Sequence, residues 1–260
     1  MTWLTRTRRG AALTGLIGSV LIIGAVYLFT ESRSETDYVW PTFGEVWAAF
    51  QDTWLFENVG SDVVPSLKRM FIGFFIAVVG GVGVGFVLGS SRVLDALASP
   101  VVSFLRSIPA AALLPPAIVL FGIGDVTKIV VIAFVCCWPI ILNTRDGVRE
   151  LDSTMMSSTA IYGITGLSRF RLVVLPAVSP RIFAGMRVSL SIAILLLVTS
   201  EMVASADGIG YFVFLAQQRF AVDDMWAGVI LLGLLGVALN FLLGVVERIV
   251  LRWHRSADLL

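Results

Sequence analysis

The sequence predicts an all-α integral membrane protein with about six transmembrane helices and both ends on the cytoplasmic side. Three observations predict it. Only 14% of the 260 residues are charged and 57% are hydrophobic, against about 25% charged in a soluble domain, and a mean hydropathy of +0.92 leaves too little polar surface to be wetted. Second, runs approaching the roughly 20 apolar residues of a span recur at Ala11–Phe29, Met70–Ser91, Ser107–Gly124, Ile129–Thr144, Ile182–Val203 and Met225–Val246. Third, alternating these spans from an inner N-terminus puts 14 of the 19 basic residues inside with six of the 18 acidic ones. The inside is then +8 and the outside −7, the asymmetry that orients membrane proteins.

The first run follows a short cytoplasmic stretch (residues 1–10) carrying Arg6, Arg8 and Arg9. That start resembles a signal peptide, but no small-residue cleavage site follows directly, so residues 11–29 are read as a retained helix. The outer segment 30–69 holds Trp40, Trp47 and Trp54, spaced by seven. With Phe43, Val46 and Phe50 they predict an amphipathic helix over Thr42–Phe56, anchored at the membrane surface by its aromatic residues rather than used for binding.

From residue 70 to 253 runs the core of five further spans. The second span carries Ala77, Gly81, Gly85 and Gly89 every four residues, a face on which another helix can approach closely. That partner is either a helix of the same chain or one of a second subunit. The third span holds Pro109, Pro115 and Pro116, and the fourth holds Pro139 beside Trp138. Proline removes a backbone donor and breaks a helix, and broken helices in lipid face protein or a water-filled path. Spans three and four are therefore expected to wall a pathway, with the third broken twice. The fourth span is expected to begin a turn before Ile129, across Lys128. Cys136 and Cys137 are adjacent inside it and are read as packing residues.

The inner segment Arg145–Arg181 is long for a connection in a compact membrane protein. Asp152 is placed to cap a helix running through Thr159, Ala160 and Tyr162. Gly163 then suits a left-handed C-terminal position, Gly166 permits a second bend, and Pro176 and Pro180 mark the approach to span five. Met155, Met156, Ile161, Leu167 and Phe170 would give the projecting segment a surface on which a partner docks. A tail, residues 254–260, ends the chain inside.

A few polar residues near the spans admit two roles. Glu201, near the outer end of span five, is either a gate or binding-protein contact, or an interfacial charge meeting Lys68 or Arg69. Arg106 and Arg187 either guide an anion or, the favoured reading, anchor helix ends. Asn143 either lines the path or caps its own helix. The lone histidine, His254, lies in the tail and is not read as a ligand. The chain lacks a Gly-x-x-x-x-Gly-Lys-Ser/Thr loop, a Cys/His metal motif and an acid/base set, so it is read as neither an ATPase nor another enzyme. The middle of every span also lacks the carboxylates or histidines that proton coupling needs. A channel or ion-coupled carrier working without ATP is the competing class, and it has no need of a docking loop.

Gly163, nine residues, then Val173-Val174-Leu175-Pro176 resembles the cytoplasmic signature of binding-protein-dependent permeases: Glu-Ala-Ala, three residues, Gly, nine residues, Ile-x-Leu-Pro. Ser157-Ser158-Thr159 departs from its start. Pro65-Ser66-Leu67-Lys68-Arg69, Leu105-Arg106-Ser107-Ile108-Pro109, Phe121-Gly122-Ile123-Gly124-Asp125, Ser200-Glu201-Met202 and Asp207-Gly208-Ile209-Gly210 fit the same family in order and spacing. The chain thus resembles a permease subunit of ABC importers of the nitrate/sulfonate/taurine type. The resemblance implies a type I importer fold in a prokaryotic inner membrane, in contact with lipid and not nucleic acid. It implies a second copy of the permease, two ATPase subunits that hold ATP and Mg, and an extracytoplasmic substrate-binding protein. Asp152–Leu167, with Pro176 following, would form the coupling segment seated on the ATPases. The family's substrates are small oxyanions and organic acids such as nitrate, bicarbonate, sulfonates and taurine, with some heterocycles.

Overall fold

A computed structural model describes residues 40–54 and 58–252, together with the four helical positions Gly18, Leu21, Gly24 and Leu28. The expected first span 11–29 otherwise lies outside the described residues, as do the N-terminal stretch, residues 55–57 and the tail with His254. The described residues are helical throughout, without strands.

Helix α1, Phe43–Asp52, starts at a capping box in which Thr42 accepts from the Glu45 backbone and Glu45 reaches back to the Thr42 N–H. It does not lie free on a surface. Val46 and Ala49 are buried, and Trp54 just beyond it is 4% exposed against Phe212, with ring centroids 4.7 Å apart. Trp40 stacks on Trp226, while Trp47 stays outside, stacked on Phe50.

A π-helical turn, Val59–Val63, leads into α2, Val64–Ser90, with Pro65 in its first turn where no backbone donor is needed. Ser91 accepts from Leu94 N and starts α3, Arg92–Ser107. The helix stops because Pro109 forces Ile108 into an extended conformation, ψ 124°. A 3-10 turn, Ala110–Leu113, and α4, Leu114–Phe121, follow, bent by 92° from α3.

The third span, expected over Ser107–Gly124 with two breaks, instead falls on the second arm of a bent pair. Pro109 breaks it as expected. Pro115 and Pro116 do not break it a second time; they occupy the start of α4, where a missing N–H removes no hydrogen bond. The 12 residues Ala110–Phe121 rise only about 20 Å, too little to cross about 30 Å of hydrocarbon alone.

Helix α5, Asp125–Arg149, begins a turn before Ile129, as the sequence suggested. Then come α6, Ser153–Ile161, α7, Gly166–Arg169, a π-helical turn, Phe170–Val174, and α8, Leu175–Ala204. Helix α9, Ile209–Gln218, and α10, Val222–Val250, complete the described fold. Among the described residues, Val59–Ser90, Asp125–Arg149, Gly166–Ala204 and Val222–Val250 are each long and apolar enough to cross a membrane, and the bent pair makes a fifth if it crosses as one.

The core is the stack α2–α5–α8. Met70, Ala77, Ile132, Cys136, Ile140, Ala193, Leu196 and Leu197 are its most buried members. The small-residue row of α2 settles against α5. A Cβ on Gly81 would lie 2.9 Å from Ile140 Cβ, on Gly85 2.6 Å from Thr144 Cβ, and on Gly89 2.6 Å from Val148 Cβ. Ala77 is 1% exposed in the same row. Gly73, one step earlier at the same spacing, joins them against Ile132. Of the two readings of this row, the contacts are within the chain. Helix α10 turns Leu234, Val237, Phe241 and Ile249 outward, as a lipid-facing helix does.

Candidate functional site

The two ends of the α2–α5–α8 stack carry different chemistry. At the inner end, Asp95 of α3 is 9% exposed and pairs with Arg145 (3.3 Å) and Arg149 (2.9 Å) of α5. Glu150 pairs with Arg181, and Arg187 of α8 with Glu247 of α10. Arg187 thus holds a helix end. Arg106 sits exposed in the last turn of α3.

The inner connection is built as the spacing predicted. The Asp152 carboxylate accepts from Thr154 N at 2.9 Å and starts α6. At the other end the Ile164 N–H bonds Thr159 O at 2.8 Å and the Gly163 N–H bonds Ala160 O at 3.1 Å. This is the paired closure that requires a left-handed residue between, and Gly163 has φ +70°. Gly166, φ +55°, turns the chain again into α7.

Thr159 is buried and donates to Met156 O, and Ser158 donates to Thr154 O, so these hydroxyls serve their own helix. Ser157 and Ala160 are exposed. Ile161 and Tyr162 are 84% and 81% exposed, and Leu167 and Leu172 also point outward. Phe170 packs edge-on against Phe86, centroids 4.9 Å apart, fastening the segment to α2. Pro176 is half-buried at the start of α8. The loop therefore shows an apolar tip on a well-closed base.

The residues suggested for the pathway do not converge. Pro109 and Pro115 are exposed on the bent pair. Pro139 lies in α5, where Asn143 Nδ2 donates to its carbonyl at 2.8 Å, a bond within the helix and not a cap. Glu201 is far from these, at the outer end of α8.

Glu201 is fully buried, and its carboxylate is satisfied from three sides. Ser66 Oγ donates to both oxygens (2.7 and 2.9 Å), Arg69 Nη1 to Oε1 (3.1 Å) and the Gly210 N–H to Oε2 (3.0 Å). Of the two basic residues suggested for it, Arg69 is the partner. Arg69, 4% exposed, also donates from Nε to Asp125 (2.6 Å) and from Nη2 to Asp207 (2.6 Å). One guanidinium thus ties α2, the start of α5, the end of α8 and the loop after α8.

Asp62 accepts from Gly208 N at 2.8 Å and Ser66 Oγ from Ile209 N at 3.0 Å. Lys128, 2% exposed, lies within electrostatic reach of the same carboxylates. Gly208 is required twice. Its φ is +107°, and a Cβ there would sit 2.5 Å from the Glu201 carboxylate. Burial pushes the Asp207 carboxyl up, but the bond and charge of Arg69, with Ser205 and Lys128, outweigh it and hold the group below the usual carboxylate range. Ser66, Asp125, Asp207 and Lys128 were not singled out from the sequence. All but Lys128 lie in the short segments that carry the family resemblance, which was the available signal.

Comparison with known proteins bears on this arrangement. The family described as the binding-protein-dependent transport system inner membrane component matches residues 64–256. The bicarbonate transport system permease protein CmpB of Synechococcus elongatus is 32% identical over 90% of this chain and 82% of its own length. The putative aliphatic sulfonates transport permease protein SsuC of Bacillus subtilis is 29% identical over 85% and 80%. The nitrate import permease protein NrtB of Leptolyngbya laminosa is 30% identical over 71% and 66%.

In fold, the chain is similar to an inward-facing structure of the MetNI methionine ABC transporter, with a TM-score of 0.63 at 23% identity, over 73% of this chain and 94% of the other. Members of such a family work with a separate ATPase and a substrate-binding protein, and a permease is a transport subunit, not an enzyme. The chain belongs to the binding-protein-dependent transport system inner membrane components, the multi-pass permease subunits of prokaryotic ABC importers.

Proposed function

We propose that this permease imports a small oxyanion or organic acid and is driven through the inner connection Asp152–Leu167. The assembly is two copies of this chain, two ATPase subunits that hold ATP and Mg, and one extracytoplasmic binding protein. The observation that carries the reading is the inner loop. A helix capped by Asp152 and closed at Gly163 holds Ile161, Tyr162 and Leu167 out toward the cytoplasm, at the inner ends of the two helices α5 and α8. An exposed apolar tip on a rigid base suits seating in a cleft of another protein. The same tip has no purpose in a channel working alone.

Substrate class rests on the relatives named for bicarbonate, sulfonate and nitrate. Along the path, Arg106, Pro109, Pro115, Pro139 and Asn143 are the residues proposed to face the solute as the bent pair and α5 rearrange.

The test is purification of the chain from its own host in mild detergent, with mass identification of what accompanies it. A co-purifying ATPase that is lost on replacing Ile161 and Tyr162 with Asp supports the docking loop. ATP-free uptake in vesicles, with no ATPase accompanying the chain, refutes it. Labelled bicarbonate, nitrate and taurine offered to vesicles with the binding protein decide the substrate class.

A further inference from the structure

The two helices that leave the inner loop, α5 and α8, are fastened to each other along their whole length. Near the inner end a Cβ on Gly147 would meet Arg181 Cβ at 2.9 Å. Midway, Gly185 lies so close to α5 that its Cβ would be 3.0 Å from Ile140 Cα and from Pro139 O. Farther out, Ser189 Oγ donates to Cys136 O at 2.7 Å, and Cys136 Sγ lies 3.4 Å from Ser189 O. At the outer end Arg69 bonds Asp125 of α5 and Glu201 of α8 together. From Gly147 to Asp125 the pair spans about 33 Å at helical rise.

Close contacts at several points along that length resist sliding of the two helices past each other. Breaking the outer joint would leave the buried Glu201 charge without its cation, which is costly.

We propose that Arg69 is a positioning residue for coupling. It locks the outer loop Ser205–Gly208, through Asp207, to the outer end of the α5–α8 lever, so that displacement of the inner loop reaches the outer face undiminished. The joint is graded. Glu201 is fully buried and permanent, while the side chains of Asp125 and Asp207 are 55% and 46% exposed and form the outer fastenings. Asp62 holds the same loop from the other side, at Gly208 N. The proposal rests on the reading that Asp152–Leu167 receives the ATPase.

The test uses the whole complex, with its ATPase and binding protein, in liposomes. Cys136→Ala and Cys137→Ala clear the background for a single spin label at Ala206→Cys or Ser168→Cys, both exposed positions and the latter just beyond the docking segment. Asp207→Asn removes the charge by which Arg69 holds residues 205–207 and leaves the Arg69–Glu201 pair and the Asp62 bond to Gly208 N in place, so the fold survives. Without nucleotide, the label at 206 is expected to be immobile in the parent and mobile in Asp207→Asn. With ATP, labels at 168 and 206 both shift in the parent, and only the one at 168 shifts in Asp207→Asn. Uptake per ATP hydrolysed falls at least about fivefold while basal hydrolysis stays within about twofold.

Asp125→Asn lowers the same ratio but leaves 206 ordered. A label at 206 as ordered in Asp207→Asn as in the parent overturns the proposal. So does uptake falling strictly in step with hydrolysis, which a merely structural joint would give. If the label at 168 never responds to ATP in the parent, the docking reading fails instead, and order at 206 without nucleotide still decides whether Arg69 holds the loop.

Discussion

Helix α2 offers a matched pair of glycines two residues apart on opposite faces. Gly83 has open space around it, with nothing within 4 Å of an added Cβ. Gly85 faces α5, where an added Cβ would lie 2.6 Å from Thr144 Cβ and 2.8 Å from Ile141 O. Ordinary contact begins at 3.4 Å, so Gly85→Ala needs about 0.8 Å more room from a neighbouring helix that includes backbone. Overpacking of that kind costs about 1–3 kcal/mol. Alanine returns up to about 1 kcal/mol over glycine in a helix interior, and both variants share that gain. Their difference therefore isolates the packing term at about 1–3 kcal/mol. Gly83→Ala should be slightly more stable than the parent and Gly85→Ala less stable. Gly81→Ala, with its first contact at 2.9 Å, should fall between them. Thermal unfolding of the purified permease in one detergent ranks the three. Equal shifts for Gly83→Ala and Gly85→Ala would show that the α2–α5 seam does not set this spacing.

Three further outcomes are expected. Glu201→Gln removes the anion from a fully buried site and leaves Arg69 with only its two half-exposed partners; a loss of about 3 kcal/mol should appear as poor membrane yield or a lowered unfolding temperature, and parental values for both would contradict the buried pairing. An added Cβ at Gly163 meets no atom within 4 Å, so Gly163→Asp strains chiefly a backbone at φ +70°, a cost of about 1–2 kcal/mol, and the permease should reach the membrane at normal level yet lose ATP-driven uptake. Asp207 has a folded value below its unfolded one, so its contribution is present above about pH 4 and drains as pH falls through the folded value; the stability difference between parent and Asp207→Asn should be constant from pH 7 to pH 5 and shrink below about pH 4.

Much of this architecture was legible because the signals were local. Asp152, Gly163 and Gly166 announce a capped helix, a left-handed stop and a bend by their backbone chemistry alone, and the inner loop follows them residue for residue. The four-residue spacing from Ala77 to Gly89 marked the face that packs, though not which helix would fill it; that depends on α5 presenting Ile140, Thr144 and Val148 at the same rise. The third span was misjudged for a different reason. The break at Pro109 came where expected, but Pro115 and Pro116 were read as a second interruption although consecutive prolines serve equally to begin a helix. The amphipathic helix after the first span was placed correctly in sequence, but its aromatic residues divide. Trp54 enters the core and Trp47 stays outside, a partition that periodicity over so short a stretch does not reveal.

The outer hub shows what sequence reading leaves out. Charge counting placed Arg69, Lys128, Asp125, Glu201 and Asp207 on the outer side, and a meeting of Glu201 with Lys68 or Arg69 was the only pairing among the readings; Lys128, Asp125 and Asp207 were assigned no partner. Folding removes the two cations from the surface, at 4% and 2% exposure. A buried guanidinium requires several acceptors at once. The chain provides them from positions 56, 132 and 138 residues away, separations at which no periodicity operates. What makes the convergence affordable is again local. Gly208 and Gly210 let the outer loop come within contact distance of Glu201, and Ser66 and the Gly210 N–H supply the donors that one arginine cannot. Taking Arg69 away would leave the fully buried Glu201 without its countercharge. The outer ends of α2, α5 and α8 are thus bound together more tightly than their apolar seams alone would hold them. The bent pair is tied differently, by Asp95 to Arg145 and Arg149 of α5 at the inner end, while its second arm ends with Val119, Leu120 and Ile123 exposed beside Gly122.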